Sequence, residues 1–184
     1  MLISTHKPNV TRARATGMFL DAFRELRYGR LRIVIDFYLP YYLFLVKMET
    51  SRKVVDSLYG IDAVTGRLDP YRFDQPMSPE TLREVETGYS LPLQISPQEA
   101  LSKLGEKLRR LLLMENVFKA GGWNLSGELI ESFYMPYWVG VYRRGERARL
   151  EVIDAVRGRL EGAKVRELVE GWFKNRPPNT VVNT

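Results

Sequence analysis

Residues 37–42 read FYLPYY, and residues 133–138 read FYMPYW, a near copy displaced by 96 positions. A second pair follows in the same order, because IDAVTGRL at 61–68 returns as IDAVRGRL at 153–160, displaced by 92 positions. Two blocks that recur in the same order predict an internal duplication of the chain. The displacement decreases from 96 to 92 positions because the connection between the two blocks is four residues longer in the first copy. A surface hairpin accommodates such a difference in length.

A helix is predicted at the start of each copy. Residues 96–99 read SPQE, which places a serine at the N-cap, a proline at the first helical position and a glutamate at the third. One helical stripe then carries Leu101, Leu104, Leu108, Leu111 and Leu112. In the first copy the corresponding stripe carries Met18, Phe19, Ala22, Phe23 and Leu26, with Gly29 as a stop. Each copy is therefore expected to begin with an amphipathic helix.

Runs of β-branched and aromatic residues predict three strands after each helix. They are 32–38, 41–48 and 54–64 in the first copy and 128–134, 137–142 and 147–156 in the second. Pro40 and Pro136 cannot donate a ladder hydrogen bond, so we expect them at a bulge, a bend or an edge rather than inside a central strand. Residues 143–146, RRGE, are typical of a hairpin turn, and Gly66 and Gly158 indicate turns after the two IDAV segments.

The predicted fold class is α+β, a tandem duplication of a helix packed on a small antiparallel β-sheet. Residues 1–75 form the first unit, residues 76–95 a linker with a short helix at 78–85, and residues 96–184 the second unit. The second unit ends in an amphipathic helix, which carries Val165, Leu168, Val169, Trp172 and Phe173 on one face. A polar tail follows, which we expect to be disordered. The two units are expected to pack together as one pseudo-symmetric body.

The second copy resembles the PepSY family, a group of cystatin-like domains built from a helix and a sheet. The similarity rests on ISPQEAL at 95–101 and VIDAVRGRL at 152–160, and the first copy keeps IDAVTGRL at 61–68. The resemblance implies a helix-plus-sheet fold and supplies no catalytic residues. Because PepSY domains occur in protease propeptides and envelope proteins, it also implies a role in binding or restraining a peptidase.

The inventory of reactive residues argues against an enzyme. The chain has no cysteine and one histidine, His6, which excludes thiolate zinc sites, cysteine nucleophiles and multi-histidine metal centres. It contains no Gly-rich phosphate loop, nucleophile elbow or zinc-binding helix motif. Asp62 and Asp154 recur at equivalent positions, but each lies beside a glycine turn, so capping of local amides is the preferred interpretation. We predict no catalytic residue, no cofactor and no metal.

No membrane span is expected from the hydropathy pattern. The most apolar stretch, 33–46, has 14 residues and is interrupted by Asp36, whereas a membrane helix needs about 20 apolar residues. Residues 1–14 lack the apolar run of a secretory signal. The expected location is the cytoplasm.

Two groups of side chains are candidates for a binding surface. The aromatic blocks offer Tyr41, Tyr42, Tyr137 and Trp138 as rings that stack on a flat ligand, although core packing is the favoured interpretation. Basic residues cluster near the first helix, at Arg12, Arg14, Arg24, Arg27, Arg30 and Arg32, and around the hairpin turn, at Arg143, Arg144, Arg147 and Arg149. Acidic residues interrupt most of these runs, so a solvated charged face is favoured. Arg143 and Arg144 are retained as binding candidates.

The leading functional prediction is a non-enzymatic binding or regulatory module that recognises a protein or peptide through a sheet face, a sheet edge or the groove between copies. The alternative is a nucleic-acid-binding protein that uses basic residues beside exposed aromatic rings. A net charge of +6 and a pI near 9.6 favour contact with such a polyanion. A small-molecule carrier with a pocket between helix and sheet is a third class, and the oligomeric state is left open.

Overall fold

A computed structural model describes residues 1–49, 54–114 and 124–175. The strands are β1 (Leu2–His6), β2 (Arg30–Glu49), β3 (Val54–Asp62), β4 (Tyr71–Phe73), β5 (Leu82–Glu86), β6 (Asn124–Arg144), β7 (Arg147–Asp154) and β8 (Arg159–Leu160). The helices are α1 (Arg12–Phe19), α2 (Ala22–Tyr28), α3 (Pro97–Met114) and α4 (Ala163–Lys174).

The strands form one mixed sheet. Its order is β4-β3-β2-β6-β1-β5, and β7 pairs with both β6 and β8. β1 runs parallel to β6, whereas its pairing with β5 and the β2–β3, β3–β4, β6–β7 and β7–β8 pairings are antiparallel. Strands account for 47% of the structure and helices for 26%. The predicted tandem duplication of a helix packed on a small antiparallel sheet is therefore wrong.

The error arises at the two prolines. β2 has 20 residues and runs through Pro40, and β6 has 21 residues and runs through Pro136. Each proline lacks an amide donor but contributes its carbonyl, because Pro40 accepts from the Ala63 amide at 2.8 Å and Pro136 from the Ala155 amide at 3.1 Å. The predicted breaks between strands do not occur. The two long strands pair with each other inside a single sheet.

The chain divides into two compact units, each assembled from two separate segments. Unit 1 contains Met1–His6 and Leu39–Met135, and unit 2 contains Lys7–Tyr38 and Pro136–Thr184. β2 and β6 each contribute one half to each unit. This division differs from the boundaries 1–75, 76–95 and 96–184, which stay a prediction about the organisation of the sequence.

In unit 1, α3 packs on the β2–β3 hairpin. The buried cluster consists of Tyr42, Phe44, Val46, Met48, Ile61, Ala63, Ala100, Leu104 and Leu108. The helix begins as its sequence predicts, because the Ser96 hydroxyl accepts a hydrogen bond from the Glu99 amide at 3.2 Å. The helix expected to open the second copy thus packs on strands that come from the first.

In unit 2, the helix and the strands again come from different copies, because α1 of the first copy packs on strands of the second. The buried cluster consists of Val10, Ala15, Phe19, Val34, Tyr142 and Ile153, so the amino-terminal helix packs on β6 and β7. The Phe19 and Tyr142 rings meet edge to face with centroids 6.4 Å apart. α4 adds buried Val165, Val169 and Trp172. The amphipathic helix predicted at the carboxyl end is confirmed.

The two helices predicted elsewhere are wrong. The single helix expected across residues 18–28 is instead α1 and α2, separated at Leu20 and Asp21. The break occurs because the Asp21 carboxylate accepts from the Phe23 amide at 2.9 Å and starts a new helix. The short helix expected at 78–85 is replaced by β5, whose backbone pairs with β1.

The turn predictions are confirmed. The hairpin between β6 and β7 turns at residues 145–146, and Gly66, Gly145 and Gly158 have φ of 65°, 59° and 68°. The polar tail expected to be disordered lies outside the described residues.

Candidate anion-binding pocket

α2 is a short helix on the surface of unit 2. None of its residues is buried, and it ends at Gly29, which has a φ of 90°. A Cβ at this position would lie 2.3 Å from the Arg143 carbonyl oxygen. Glycine is therefore required for the end of α2 to approach the β6–β7 hairpin this closely.

The β6–β7 hairpin brings a second group of arginines to the end of α2. Its register pairs Arg144 with Arg147 and Tyr142 with Arg149. Because alternate side chains of a strand lie on the same face, Arg147 and Arg149 project to one side of β7. The fold thus joins two basic clusters that are more than 100 residues apart in sequence, since Arg144 donates a hydrogen bond to the carbonyl of Leu26, 118 residues earlier.

Together these residues form a pocket of about 550 Å³. Its lining residues are Arg27, Tyr28, Arg144, Arg147, Ala148 and Arg149. We call this the arginine pocket, since all its lining residues except Tyr28 and Ala148 carry a guanidinium group. Such a concentration of like charge in a concave surface creates a positive potential that attracts anions.

Arg149 is held in place from two sides. Its guanidinium carbon lies 4.6 Å from the centre of the Tyr28 ring, a distance at which a cation is attracted by the ring face. Its Nε lies 3.8 Å from Oε1 of Glu151. Glu151 is itself fixed, because it is 8% exposed and accepts from Nη1 of Arg166 at 3.2 Å. One cation of the pocket is therefore oriented before any ligand arrives.

In the part of the chain that the structure describes, the other three arginines form no ion pair with a carboxylate. Nη1 of Arg144 donates to the Leu26 carbonyl at 3.3 Å, and the guanidinium carbon of Arg27 lies 5.4 Å from the centre of the Tyr28 ring. Throughout residues 1–49, 54–114 and 124–175, no carboxylate forms an ion pair with Arg27, Arg144 or Arg147. Positive charge in the pocket therefore exceeds the negative charge that the described residues place against it.

Tyr142 is a buried neutral support for this region. Its ring meets that of Tyr28 edge to face at 5.8 Å, and its hydroxyl donates to the Phe19 carbonyl at 2.7 Å. Burial raises the pKa of Tyr142 to about 12, although the charge of Arg24 acts in the opposite direction. Tyr142 thus remains protonated at neutral pH and adds no negative charge next to the pocket.

An apolar surface adjoins the arginine pocket on α2. Phe23 is 66% exposed and Leu26 is 75% exposed. Residues three and four positions apart share one side of a helix, so Phe23, Leu26 and Arg27 are neighbours on α2. We call Phe23 and Leu26 the apolar pair.

Three of the four aromatic candidates from the sequence are buried. Tyr41 is 3% exposed, Tyr42 6% and Tyr137 3%. The Tyr42 hydroxyl donates to the Ile95 carbonyl at 3.0 Å. Trp138 is half-buried, and its indole N–H donates to the Val10 carbonyl at 2.8 Å. Tyr41, Tyr42 and Tyr137 are thus core residues, and Trp138 packs partly buried against the cluster that contains Tyr142.

The two basic candidates have different surroundings. Arg144 lines the arginine pocket. Arg143 is not among the lining residues, and its Nε donates to the Gly145 carbonyl at 3.1 Å. The sequence pattern places Arg27, Arg147 and Arg149 on a solvated face and gives Tyr28 no role. The alternation of Arg147 and Arg149 along a predicted strand was an available signal, but their approach to α2 was not.

The recurring aspartates cap turns, as the sequence predicts. Asp62 is buried and accepts from the backbone amides of residues 65, 66 and 68 at 2.7, 2.9 and 2.8 Å. Asp154 accepts from the amides of residues 156 and 157, both at 2.8 Å. These carboxylates are therefore committed to local structure.

A second pocket, of about 390 Å³, lies in unit 1 between α3 and β6. Its charged lining residues are Glu106 and Arg109, so the two side chains carry no surplus charge. Among the residues that the structure describes, no three acidic or histidine side chains form a metal-binding group. None of the described helices is long and apolar enough to cross a membrane.

Comparisons of the chain with protein-family models, with curated protein sequences and with solved structures give no match. The resemblance to PepSY domains stays a prediction. The arginine pocket and the apolar pair therefore have to be interpreted from their own chemistry.

Proposed function

We propose that this protein is a non-enzymatic binding module that recognises an acidic segment of a protein partner in the arginine pocket. The observation that carries the proposal is the surplus of positive charge in the pocket. Four arginines line it, and in the described part of the chain only Arg149 forms an ion pair with a carboxylate. Arginine clusters of this kind recognise acidic and phosphorylated motifs.

The chemistry of the guanidinium group favours carboxylates as the ligand. Its planar donors match the two oxygens of a carboxylate and form paired, charge-assisted hydrogen bonds. Arg149 is oriented by Tyr28 and Glu151, so less side-chain entropy is lost when a ligand binds there. The remaining arginines then surround the bound anion.

Nucleic acid is the second candidate ligand, because the same arginines would also contact phosphates. Recognition of single strands usually adds stacking of bases on aromatic rings. Here Arg149 lies over the Tyr28 ring. Tyr41, Tyr42 and Tyr137 are buried, and Trp138 is half-buried. This arrangement favours an acidic protein segment. The proposal keeps the sequence-based expectations of a cytoplasmic location and of a PepSY-like role in contacting other proteins.

The proposal is tested with a fluorescein-labelled peptide that alternates glutamate and leucine. Binding is measured by fluorescence anisotropy at low and at physiological salt. The wild type is compared with an Arg27→Ala, Arg147→Ala double variant. The control is an Arg83→Ala, Arg110→Ala variant, which removes the same charge from exposed positions in unit 1.

We expect the pocket variant to bind the peptide about tenfold more weakly, a change of about 1.4 kcal/mol. The control should lose less than about twofold, since distant surface charges are screened by salt. Equal losses in both variants would indicate attraction by net charge alone and would contradict the proposal. Saturable binding of a labelled single-stranded oligonucleotide in place of the peptide would support the second candidate instead.

A further inference from the structure

We infer that the apolar pair is the second half of the binding surface, and that the partner segment carries apolar side chains next to its carboxylates. The inference rests on the proposed function and names the chemistry of its ligand. It starts from Phe23 and Leu26, which are 66% and 75% exposed although both are large and apolar.

The exposure of the apolar pair is a property of the whole helix. α2 has no buried residue, so the protein does not use it to build a core. Its position is fixed by other contacts, because Gly29 fits closely against Arg143 and the Leu26 carbonyl accepts from Arg144. The helix is thus held in place while its apolar side chains face outward. Exposed apolar surface of this kind marks interaction sites.

Charge selects the occupant of this surface. Phe23 and Arg27 are four residues apart on α2, and Arg27 lines the arginine pocket. A ligand that covers the apolar pair therefore also meets the guanidinium groups of the arginine pocket. An acidic segment with leucine or phenylalanine side chains satisfies both parts of the surface, because its carboxylates reach the arginines while its apolar groups are removed from water.

The inference is tested with two labelled peptides of equal negative charge. The first alternates glutamate and leucine, and the second has serine in place of every leucine. Both are titrated against the wild type, a Phe23→Ser, Leu26→Ser variant and the Arg27→Ala, Arg147→Ala variant. The control variant, Leu2→Ser with Leu129→Ser, replaces exposed apolar side chains of unit 1.

We expect the Phe23→Ser, Leu26→Ser variant to bind the leucine peptide about tenfold more weakly, with no change for the serine peptide. The control should bind both peptides as the wild type does. Circular dichroism of every variant should match the wild type, because the replaced side chains are exposed.

The possible failures are distinguishable. If only the arginine variant loses affinity, the pocket binds acidic peptides and the apolar pair has no part, which overturns this inference alone. If neither peptide binds the wild type, the proposed function fails as well. Binding to vesicles of phosphatidylserine and phosphatidylcholine that requires Phe23 and Leu26, without peptide binding, would identify a lipid surface and overturn the inference. If the wild type self-associates in sedimentation experiments and the Phe23→Ser, Leu26→Ser variant does not, the apolar pair binds a second copy of the chain. That result would also overturn the inference.

Discussion

The guanidinium of Arg149 lies over the ring of Tyr28, with 4.6 Å between the guanidinium carbon and the ring centre. One residue comes from the carboxyl end of α2 and the other from β7. Their contact joins the two basic segments of unit 2 and positions one cation of the arginine pocket. This pair is therefore both a structural link and a part of the candidate binding site.

The first prediction concerns this link. Arg149→Ala removes the cation–π contact and the Glu151 ion pair, so we expect a loss of about 1 kcal/mol in the free energy of unfolding. The affinity for the glutamate–leucine peptide should fall together with stability. Arg149→Lys should keep part of the affinity, since it keeps the charge but not the planar fork.

Urea unfolding and anisotropy titration measure the two effects separately. Arg110→Ala is the matched control, because Arg110 is an exposed residue of α3. If Arg149→Ala bound the peptide as tightly as the wild type does, Arg149 would not be part of the binding site.

The second prediction concerns the aromatic residues that the sequence offered as a binding surface. Tyr42→Phe removes the hydroxyl that donates to Ile95, and Trp138→Phe removes the N–H that donates to Val10. Tyr42→Phe should lower the free energy of unfolding by about 1 kcal/mol, because it removes one partly buried hydrogen bond. Trp138→Phe should lower it by at least as much, because the smaller ring also loses packing against the cluster that contains Tyr142. Affinity for the acidic peptide should not change. A variant that folds as the wild type does but loses peptide or oligonucleotide binding would restore these rings as ligand contacts.

Much of the local structure could be predicted from the sequence. The SPQE segment predicts the start of α3, because capping is a short-range interaction. The glycines at 66, 145 and 158 predict turns, because few other residues tolerate a positive φ. The aspartates of the two IDAV segments were correctly interpreted as turn caps. Each of these signals acts within a few residues.

The sheet and the pocket depend on longer-range contacts. Pro40 and Pro136 suggested strand ends, but the carbonyls of both prolines are hydrogen-bonded and the strands continue through them. That continuity makes one sheet where two were expected. The arginine pocket could not be predicted for a related reason. It forms because the backbone of Gly29 lies so close to the β6–β7 hairpin that a Cβ on this residue would collide with the Arg143 carbonyl. No spacing along the chain reveals that approach.

The third prediction compares two glycines. A Cβ on Gly140 would lie 2.9 Å from the buried Phe19 ring, whereas nothing lies within 4 Å of a Cβ on Gly171 in α4. Gly140→Ala should therefore destabilise the protein by about 1 to 3 kcal/mol through overpacking. Gly171→Ala should stabilise it by up to about 1 kcal/mol, because alanine has the higher helix propensity.

Thermal unfolding of both variants, monitored by circular dichroism, makes this comparison. Equal effects of the two substitutions would mean that α1 does not pack on β6 as described.

The fourth prediction concerns alkaline pH. Burial raises the pKa of Tyr142 from 10.0 to about 12. Between these values the unfolded tyrosine loses its proton while the folded one keeps it, so the unfolded state binds fewer protons and stability falls as pH rises. Tyr142→Phe should be less stable below pH 10 because it loses the bond to Phe19. Its stability should also decline less steeply between pH 10 and 12.

The measurement is a series of urea unfolding curves across this pH range for the wild type and the variant. The difference between the two removes the contribution of the other groups that titrate there. Parallel curves would show that Tyr142 does not have a raised pKa in the folded protein.

The most direct test of the central claim is a nuclear magnetic resonance titration that follows the arginine Nε–Hε signals while the glutamate–leucine peptide is added. We expect saturable shifts for Arg27, Arg144, Arg147 and Arg149, which line the arginine pocket, and unchanged signals for Arg83 and Arg110. Small, unsaturated shifts spread over arginines of both units would contradict it, because they would show that the peptide responds to overall charge and not to this pocket.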